Sequence, residues 1–495
     1  PMEAWGRADT QRSNKSERGA ERKTRTVGEK RMIYCLQSRW RLEGKRLVYY
    51  GLRNKEHLFD NVIRLSEKQA RILTGLPGSL TEAQLRILRP LIGKQVVSQE
   101  HRKRTPNSLD EATFCKCCCA NDYMIPGLEF NEEGICPLCQ TAEQTKNLKS
   151  LVPLVTDIPR SKHSRFDAAL FYTGGKDSTF LLYYLSEIMG LRILAMTWEI
   201  PWMSENTKRS IENAKERFHR VEFLSRTVNR QSLSRVYRTL YSLNGNTCAC
   251  PSLAYVLFYP EMVANRIPYF LVGNEPVQML GLYYNHMAPA AAYSVRLHKL
   301  CSVLFSIGRV LTLRPPLKMG QLQTLVTMKQ LAYGDHPLKE HFFPNELLTN
   351  VTKALHSVPE LLPPLKRAIR FSSRTGWIPA FVHLDLDAVC GGVYSWKNVR
   401  NLIKEKCGWI PPENEMQGLH TSCSIERCKE HSQFQRFRAC ESRVIPFSAL
   451  EMALASRKSS VSREEALQEI RSALGFRDEP VCEYRLIQKM LEEKA

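Results

Sequence analysis

Residues 169–185 read Ala169-Leu-Phe-Tyr-Thr-Gly-Gly-Lys-Asp-Ser-Thr-Phe-Leu-Leu-Tyr-Tyr-Leu185. Apolar residues lead into a turn at 173–178, and a second apolar run follows at once. The two glycines let backbone amides approach an anion closely, and the positive end of a following helix attracts the same anion. The order predicts a strand, a phosphate-binding loop and a helix. The loop lacks the G-x4-G-K-[ST] spacing of a Walker A motif.

Side chains of this loop add to the predicted phosphate site. Lys176 supplies a positive charge, and the first and last residues of the loop supply hydroxyl groups. Asp177 only accepts hydrogen bonds when ionised, so we expect it to orient the loop or hold Mg²⁺. We therefore predict Lys176 and Asp177 as catalytic residues. The predicted nucleotide-binding residues of the loop are Thr173, Gly174, Gly175, Lys176, Asp177 and Ser178.

Short apolar segments alternate with helical stretches from about residue 165 to 296. Strands are predicted at 168–172, 193–197 and 269–273. This alternation is typical of a parallel α/β sheet, in which ligands bind at the carboxyl ends of the strands. Gly273, Asn274 and Glu275 end the third strand and are candidate site residues, although Gly273 is equally explained as a turn residue.

The hexapeptide Thr-Gly-Gly-Lys-Asp-Ser resembles the Ser-Gly-Gly-x-Asp-Ser loop of the PP-loop ATP pyrophosphatases, whose fold is called adenine nucleotide alpha-hydrolase-like. Thr173 replaces the first serine and keeps its hydroxyl. The resemblance implies ATP and Mg²⁺, attack of a substrate oxygen on the α-phosphorus, release of pyrophosphate, and displacement of AMP by nitrogen or sulfur. It also implies that the backbone of Met196, Thr197 and Trp198 contacts adenine.

Cysteine spacing ahead of the loop predicts a metal site. Cys115-x2-Cys118 and Cys136-x2-Cys139 have the spacing of a two-knuckle zinc ribbon. Four thiolates close the coordination of one Zn²⁺, which makes such a site structural rather than catalytic. Cys117 is a spare thiol, as is Cys119, so the register of the first pair stays ambiguous.

The ribbon and the loop together resemble N-acetyl sugar amidotransferase-like proteins, and also the zinc-ribbon tRNA thiolases of the same superfamily. The similarity covers about residues 113–300. A later segment, Gly408-Trp-Ile-Pro-Pro-Glu followed by Gly418-Leu-His-Thr-Ser, resembles the amidotransferase group. These resemblances imply a sugar carboxylate or a tRNA as the acceptor.

Two more cysteines, Cys248 and Cys250, come at the start of a predicted helix. A helix N-terminus stabilises a thiolate, so we predict both as catalytic sulfur carriers. The thiolases have a Cys-x-x-Cys pair at this place, whereas the spacing here is Cys-x-Cys. A persulfide, an iron–sulfur cluster completed by Cys301 and a pair of buried small side chains all remain open.

Three weaker patterns also have ordinary explanations. A group of His and Cys residues after 419 can bind a second metal, although scattered positions explain its irregular spacing better. Alternating His and Asp residues near 385 can place two carboxylates on one strand face, although solvated polar positions are the default. Four residues after the third strand can line a substrate pocket. The possible metal ligands are His420, Cys423, Cys428 and His431. The alternating residues are His383, Asp385 and Asp387. The possible pocket residues are Tyr283, Tyr284, Asn285 and His286.

The rest of the chain is divided by composition and periodicity. Residues 1–31 are polar and basic and are predicted to be a disordered arm. Residues 32–112 contain two helical stretches separated by Pro77-Gly78, with a strand after them, and resemble a winged-helix unit. The predicted zinc ribbon spans 113–142 and the PP-loop domain 155–300. A mostly helical region follows at 301–495.

Charge and hydropathy limit the partners. The 495 residues include 71 Lys and Arg against 50 Asp and Glu, a net charge of +21. This excess favours polyanions such as nucleotides or tRNA, although a basic surface that only aids solubility explains it equally well. The chain has no apolar run of membrane-spanning length and no apolar segment of a secretory signal at its start. We therefore expect no membrane partner and a cytoplasmic location.

These patterns predict an ATP-dependent, adenylate-forming enzyme that transfers sulfur to an activated carbonyl-type carbon. Nitrogen transfer to a sugar-like carboxylate, tRNA thiolation and a non-catalytic nucleotide-binding scaffold are the alternatives. No glutaminase segment is evident, so a partner protein would supply the ammonia or the sulfur. The acceptor substrate stays unknown.

Overall fold

A computed structural model describes residues 32–100, 105–146, 148, 152–244, 249–287, 293–334, 346–415, 417–481 and 484–492. The predicted basic arm at 1–31 and the predicted sulfur carrier Cys248 lie outside the described residues. No described helix combines the length and the apolar character that crossing a bilayer requires.

The elements are numbered in chain order. The strands are β1 (Ile33–Leu36), β2 (Trp40–Glu43), β3 (Arg46–Tyr49), β4 (Val62–Arg64), β5 (Gly78–Ser79), β6 (Val97–Ser98), β7 (Leu154–Val155), β8 (Ala168–Phe171), β9 (Ile193–Trp198), β10 (Val221–Arg226), β11 (Tyr269–Val272), β12 (Ala380–Phe381) and β13 (His383–Leu384). The helices up to residue 311 are α1 (Glu67–Thr74), α2 (Glu82–Gly93), α3 (Pro137–Gln140), α4 (Ala142–Thr145), α5 (Lys176–Tyr183), α6 (Glu205–Arg217), α7 (Arg230–Asn244), α8 (Ser252–Ala264), α9 (Pro276–Tyr284) and α10 (Val295–Leu311). The later helices are α11 (Gln321–Tyr333), α12 (Glu346–His356), α13 (Leu362–Thr375), α14 (Leu386–Val389), α15 (Trp396–Cys407), α16 (Ile425–Arg438), α17 (Phe447–Arg457), α18 (Arg463–Ser472) and α19 (Tyr484–Glu492).

The centre of the molecule is a five-stranded parallel sheet in the order β10-β9-β8-β11-β12. The predicted mixed α/β class with a parallel sheet is thereby confirmed. Side chains of β8 alternate between two cores, as they must in a strand that is covered on both faces. Ala168 and Leu170 pack with α5 and α6, whereas Ala169 and Phe171 pack with α7 and α8.

The N-terminal unit has a core of its own, built from two helices and two antiparallel sheets, β5-β1-β6 and β2-β3-β4. Its predicted order of helix, turn, helix and strand is present as α1, α2 and β6. The N-cap of α2 is Thr81, whose side chain exchanges hydrogen bonds with Gln84 in a capping box. Strands β1 to β4 precede these helices and were not predicted, because strands of three or four residues with charged positions carry little periodicity.

The cysteine-rich segment belongs to the main core rather than standing apart. Cys115, Cys118 and Cys136 are buried in the same cluster as the β8 and α5 side chains. The Arg463 guanidinium group, at the start of α18, donates hydrogen bonds to the carbonyls of Cys115 and Cys118, both at 3.1 Å. The metal-binding segment and the C-terminal helices therefore stabilise each other.

The region after residue 300 is mostly helical and also contributes two short strands. Strand β12 extends the parallel sheet beside β11, and β13 pairs with β7. Helix α15 packs against α5, directly under the predicted phosphate loop. Two-residue strands are too short to leave a periodic pattern, so no signal in the sequence predicts this contribution.

Candidate active site

The sheet changes direction of winding between β8 and β11, because β9 and β10 lie on one side of β8 and β11 and β12 on the other. Ligands of open α/β sheets bind in the crevice at the carboxyl ends of the strands at such a point. A cavity of about 510 Å³ opens here. The loop after β8 and the turn after β11 both line it. The fold therefore brings the predicted loop and the predicted strand end to one site.

Two glycines allow the close packing of this site. Gly174 has φ +70°, and a Cβ there would lie 2.8 Å from Ile211 Cγ1. Its carbonyl accepts a hydrogen bond from Trp409 Nε1 at 3.1 Å. A Cβ on Gly273 would lie 2.9 Å from the backbone nitrogen of Ser178. Glycine is needed at Gly273 because strand β11 and the first turn of α5 almost touch.

Hydroxyl groups fix the shape of the loop from inside. Ser178 Oγ accepts a hydrogen bond from the Thr173 backbone nitrogen at 3.2 Å and lies 3.1 Å from Thr173 Oγ1. It also donates to the Gly175 carbonyl at 3.2 Å. The residues that the sequence singled out as phosphate contacts therefore also hold the loop in position.

Lys176 differs from its predicted environment, because its ammonium group is fully buried. Nζ donates to Asp177 Oδ1 and to Glu275 Oε1, each at 2.5 Å. The rings of Tyr394 and Trp396 cover the ammonium at 5.0 and 4.7 Å. The Tyr394 hydroxyl donates to Asp177 Oδ1 at 2.8 Å, and the Trp396 indole donates to Glu275 Oε2 at 2.6 Å. The charge of Lys176 thus ties the loop to β11 and α15 instead of projecting into the cavity.

The charge state of Lys176 follows from these neighbours. Burial alone would lower the pKa of the ammonium group, but the carboxylates of Asp177 and Glu275 outweigh burial and raise it. Lys176 is therefore a cation at neutral pH. Asp177 accepts two hydrogen bonds on one oxygen and still lines the cavity. These two hydrogen bonds hold the Asp177 side chain in place.

A segment from the C-terminal region closes the cavity over the loop. The Thr421 hydroxyl accepts a hydrogen bond from the Lys176 backbone nitrogen at 3.0 Å, in the first turn of α5. The buried Glu469 carboxylate accepts from the backbone nitrogens of Gly418 and Leu419, both at 2.9 Å at the shortest. The Gly418-Leu-His-Thr-Ser segment is therefore a fixed wall of the site.

His420 lies in this wall between two carboxylates. Its Nε2 is 2.8 Å from Glu430 Oε2 and 3.1 Å from the Ser448 hydroxyl, and its Nδ1 is 3.6 Å from Glu426. Burial alone would lower the pKa of the imidazole, but Glu430 and Glu426 outweigh it and raise the pKa to about 10. His420 is therefore an imidazolium ion at neutral pH.

The second metal site that the sequence left open does not form. Cys423 and Cys428 are buried in the apolar cluster on the α8 side of the sheet. The His431 ring packs against Tyr484, with 5.9 Å between the ring centroids. His420 contacts the carboxylates of Glu430 and Glu426. The four side chains therefore lie in different environments.

Glu451, on α17, lines the cavity and belongs to no motif that pointed to it. Its Oε1 accepts a hydrogen bond from Gln278 Nε2 at 2.8 Å. Burial, together with the charge of Asp177, raises the pKa of the carboxyl to about 7. Glu451 can therefore gain or lose a proton near neutral pH inside the cavity.

The second strand and the Cys250 segment form the opposite wall. Met196 and Trp198 line the cavity, whereas Thr197 is buried and donates to the Tyr172 carbonyl at 2.9 Å. Cys250 is exposed and also lines the cavity. Cys301, the possible third ligand of an iron–sulfur cluster, is on α10 and does not line the cavity. The cavity thus combines an apolar wall with a thiol.

Two other groups of predicted residues serve the fold instead. Asn285 exchanges hydrogen bonds with the backbone of Ile445. The Tyr284 hydroxyl is hydrogen-bonded to the side chains of Thr141, which lies between α3 and α4, and Thr145 on α4. The Tyr283–His286 segment therefore anchors these elements and does not line the cavity. Asp385 caps α14 and Asp387 pairs with Lys458, so they present no shared carboxylate face. His383 alone of its group lines the cavity.

The four predicted metal ligands come together in one group. The Sγ atoms of Cys115 and Cys139 are 3.9 Å apart, and those of Cys118 and Cys136 are 3.6 Å apart. All four lie within 4.8 Å of one another, and within the described part of the chain no other such group of His, Cys, Asp or Glu was found. The register of the first pair is therefore Cys115 with Cys118.

No protein-family model matches the chain, and no curated protein matches it. Among solved structures, the U34-tRNA thiolase NcsA from Methanococcus maripaludis, determined with its 4Fe-4S cluster, is similar at 12% sequence identity. The alignment covers 64% of this chain and 95% of that one, with a TM-score of 0.19. A similarity this low shows neither the fold nor the function of this chain, and the proposed function rests on the geometry of the site alone.

Proposed function

We propose that this chain is an ATP-dependent enzyme that forms an adenylate and then transfers sulfur to the activated carbon. One observation carries the proposal: the Thr173–Ser178 loop, the apolar wall at Met196 and Trp198, and the exposed Cys250 thiol line the same cavity. A volume of about 510 Å³ is in the range of small-molecule and nucleotide sites.

In the first step, an oxygen of the acceptor attacks the α-phosphorus of ATP. The bond from that phosphorus to the bridging oxygen of the β-phosphate breaks, and pyrophosphate leaves. The amides of the loop and the first turn of α5 stabilise the negative charge that develops on the leaving group. Asp177 is the residue that we expect to hold Mg²⁺, since it lines the cavity beside the loop.

In the second step, a sulfur atom carried on Cys250 attacks the adenylated carbon, and AMP leaves. A sulfur donor protein would first transfer its persulfide sulfur to the Cys250 thiol, and the outer sulfur of the resulting persulfide makes the attack. An external thiol reductant would then attack Cys250 Sγ and break its bond to the transferred sulfur, which stays on the acceptor carbon. A second thiol of the reductant would reduce the mixed disulfide and return Cys250 to the thiol. Cys250 suits this role because it is exposed at the cavity. Glu451 is placed to take up or return protons, since its pKa is close to neutral pH.

We also propose that the four-cysteine group binds one structural Zn²⁺. Thiolates at about 2.3 Å from a tetrahedral ion lie about 3.8 Å from each other. The observed sulfur separations of 3.6 and 3.9 Å fit a single ion of this kind. The backbone nitrogens of Cys117 and Ala120 donate to the sulfurs of Cys115 and Cys118 at 3.4 Å, which stabilises thiolates.

The test is a product analysis of the purified protein with Mg²⁺-ATP and candidate acceptors, including tRNA and sugar carboxylates. We expect equal amounts of AMP and pyrophosphate. Ser178→Ala should lower this turnover about tenfold or more, because the loop loses the hydroxyl that fixes it. ADP as the product would contradict the proposal.

The sulfur step is tested separately with Cys250→Ser. This variant should still release AMP and pyrophosphate but should transfer no sulfur. The matched control is Cys117→Ser, an exposed cysteine outside the cavity, which should leave both steps unchanged. Transfer of nitrogen from ammonium by the Cys250→Ser variant would instead identify the enzyme as an amidotransferase.

A further inference from the structure

Helix α10 turns Ser306 and Arg309 toward the protein and most of its large apolar side chains toward solvent. Arg309 is buried, and its guanidinium donates to the carbonyls of Pro315 and Ser373 at 2.7 and 2.9 Å. Ser306 Oγ accepts from the Leu317 backbone nitrogen at 3.0 Å. This is the reverse of an ordinary surface helix, which buries its apolar stripe.

The outer face of α10 is a continuous apolar stripe. Its large side chains recur at helical spacing and are between 52% and 80% exposed. Leu313, just after the helix, is 96% exposed. A contiguous exposed patch of this kind marks an interaction surface rather than a chance exposure. The stripe consists of Leu300, Val303, Leu304, Ile307, Val310 and Leu311.

The charge of the chain segment that carries the stripe has one sign. From residue 276 to residue 334 the sequence contains six Lys and Arg residues and no Asp or Glu. Arg296 and Lys299 are exposed on α10, and Arg314 and Lys318 are exposed just after it. A second copy of this chain would bring these cations together, so like charges oppose self-association through this face. The complementary partner is apolar and anionic.

We propose that α10 docks the protein on the surface of an anionic lipid membrane. The helix would lie in the plane of the interface, with its apolar stripe in the acyl boundary and its cations at the lipid phosphates. Aliphatic side chains fit this partner better than a nucleic acid, which requires stacking or polar contacts. The sequence analysis expected no membrane partner because it considered only segments that could span a bilayer, whereas this helix would lie on the surface. The proposal is independent of the proposed chemistry.

The test is flotation of the full chain with vesicles of phosphatidylcholine alone or with about one third phosphatidylserine. We expect binding only to the anionic vesicles, and weaker binding as salt rises. The double variant Leu304→Glu, Ile307→Glu should lower the bound fraction about tenfold or more. Both residues are exposed, so the variant should fold, and circular dichroism checks this.

The matched control is Ile87→Glu, an exposed apolar position on α2, which should bind vesicles like the unaltered chain. Equal binding to neutral vesicles, binding that survives the double variant, or no binding at all would overturn the proposal. So would a stable dimer of the unaltered chain that the double variant converts to a monomer, because the stripe would then be a self-association interface.

Discussion

Lys176 keeps a full positive charge with no exposed surface, and the site is organised around it. Two carboxylates and two aromatic rings surround its ammonium group, and they come from the loop, from the turn after β11 and from the α15 region. An ion removed from water needs such compensation, because desolvation costs several kcal/mol per charge. The residue therefore couples the shape of the loop to three parts of the fold.

Removing this ammonium group should destabilise the protein strongly. Lys176→Met leaves the Glu275 carboxylate buried without its cation, and we expect a loss of about 3–5 kcal/mol in the free energy of unfolding. Urea denaturation measures the change. Lys176→Met combined with Glu275→Gln should recover part of the loss, because the buried charge is removed as well. A loss below about 1 kcal/mol for the single variant would contradict this role.

Glu451 predicts a pH dependence of stability. Its pKa is raised by burial to about 7, above the value of about 4.3 for an unfolded glutamate. The native state therefore binds the proton more tightly, so this stability is complete below about pH 4.3 and is lost as pH rises through about 7. Glu451→Gln, which stays neutral, should match the unaltered chain near pH 4 and be more stable by about 3–4 kcal/mol near pH 8.5, because each unit between the two pKa values is worth about 1.4 kcal/mol. Equal stability of both proteins across this range in urea denaturation would contradict the raised pKa.

At the scale of elements, the contact of β11 with the start of α5 sets the width of the proposed phosphate site. Gly273→Ala would place a Cβ 2.9 Å from the Ser178 backbone nitrogen and push the helix away. We expect a loss of about 1–3 kcal/mol in stability and weaker ATP binding by calorimetry. Gly308→Ala on α10 is the control, because nothing lies within 4 Å of its Cβ, and it should stabilise the helix by about 0.5–1 kcal/mol. Equal effects of the two variants would show that the contact is not tight.

The cysteine ribbon makes a second prediction at this scale. Cys136→Ser should reduce the metal content from about one Zn²⁺ per chain to almost none and lower the unfolding temperature, because three of the four ligands are buried in the main core. Cys117→Ser should keep the metal, since that thiol is exposed and outside the ligand group. Metal analysis of both purified variants provides the measurement. Retention of a full zinc content by Cys136→Ser would disprove the ligand assignment.

At the scale of the whole molecule, the features that could be predicted are those whose pattern lies within one short stretch of sequence. Strands β8, β9 and β11 and the cysteine pairs each have a local signal. Strand β10 has no apolar run, and β12 has two residues, so neither could be found. The partners of Lys176 could not be predicted either, because the fold brings together Glu275 and Trp396, which are 121 residues apart. Distant contacts of this kind carry no pattern in one sequence.

The proposed function requires that ATP binds where the sheet meets the wall formed by the C-terminal region. The most direct measurement is a crystal structure of the full chain with Mg²⁺ and an ATP analogue whose α,β-bridging oxygen is a methylene group. We expect the β- and γ-phosphates at the amides of the Thr173–Ser178 loop and the adenine beside Met196 and Trp198. An analogue bound elsewhere, with this cavity left without it, would contradict the account.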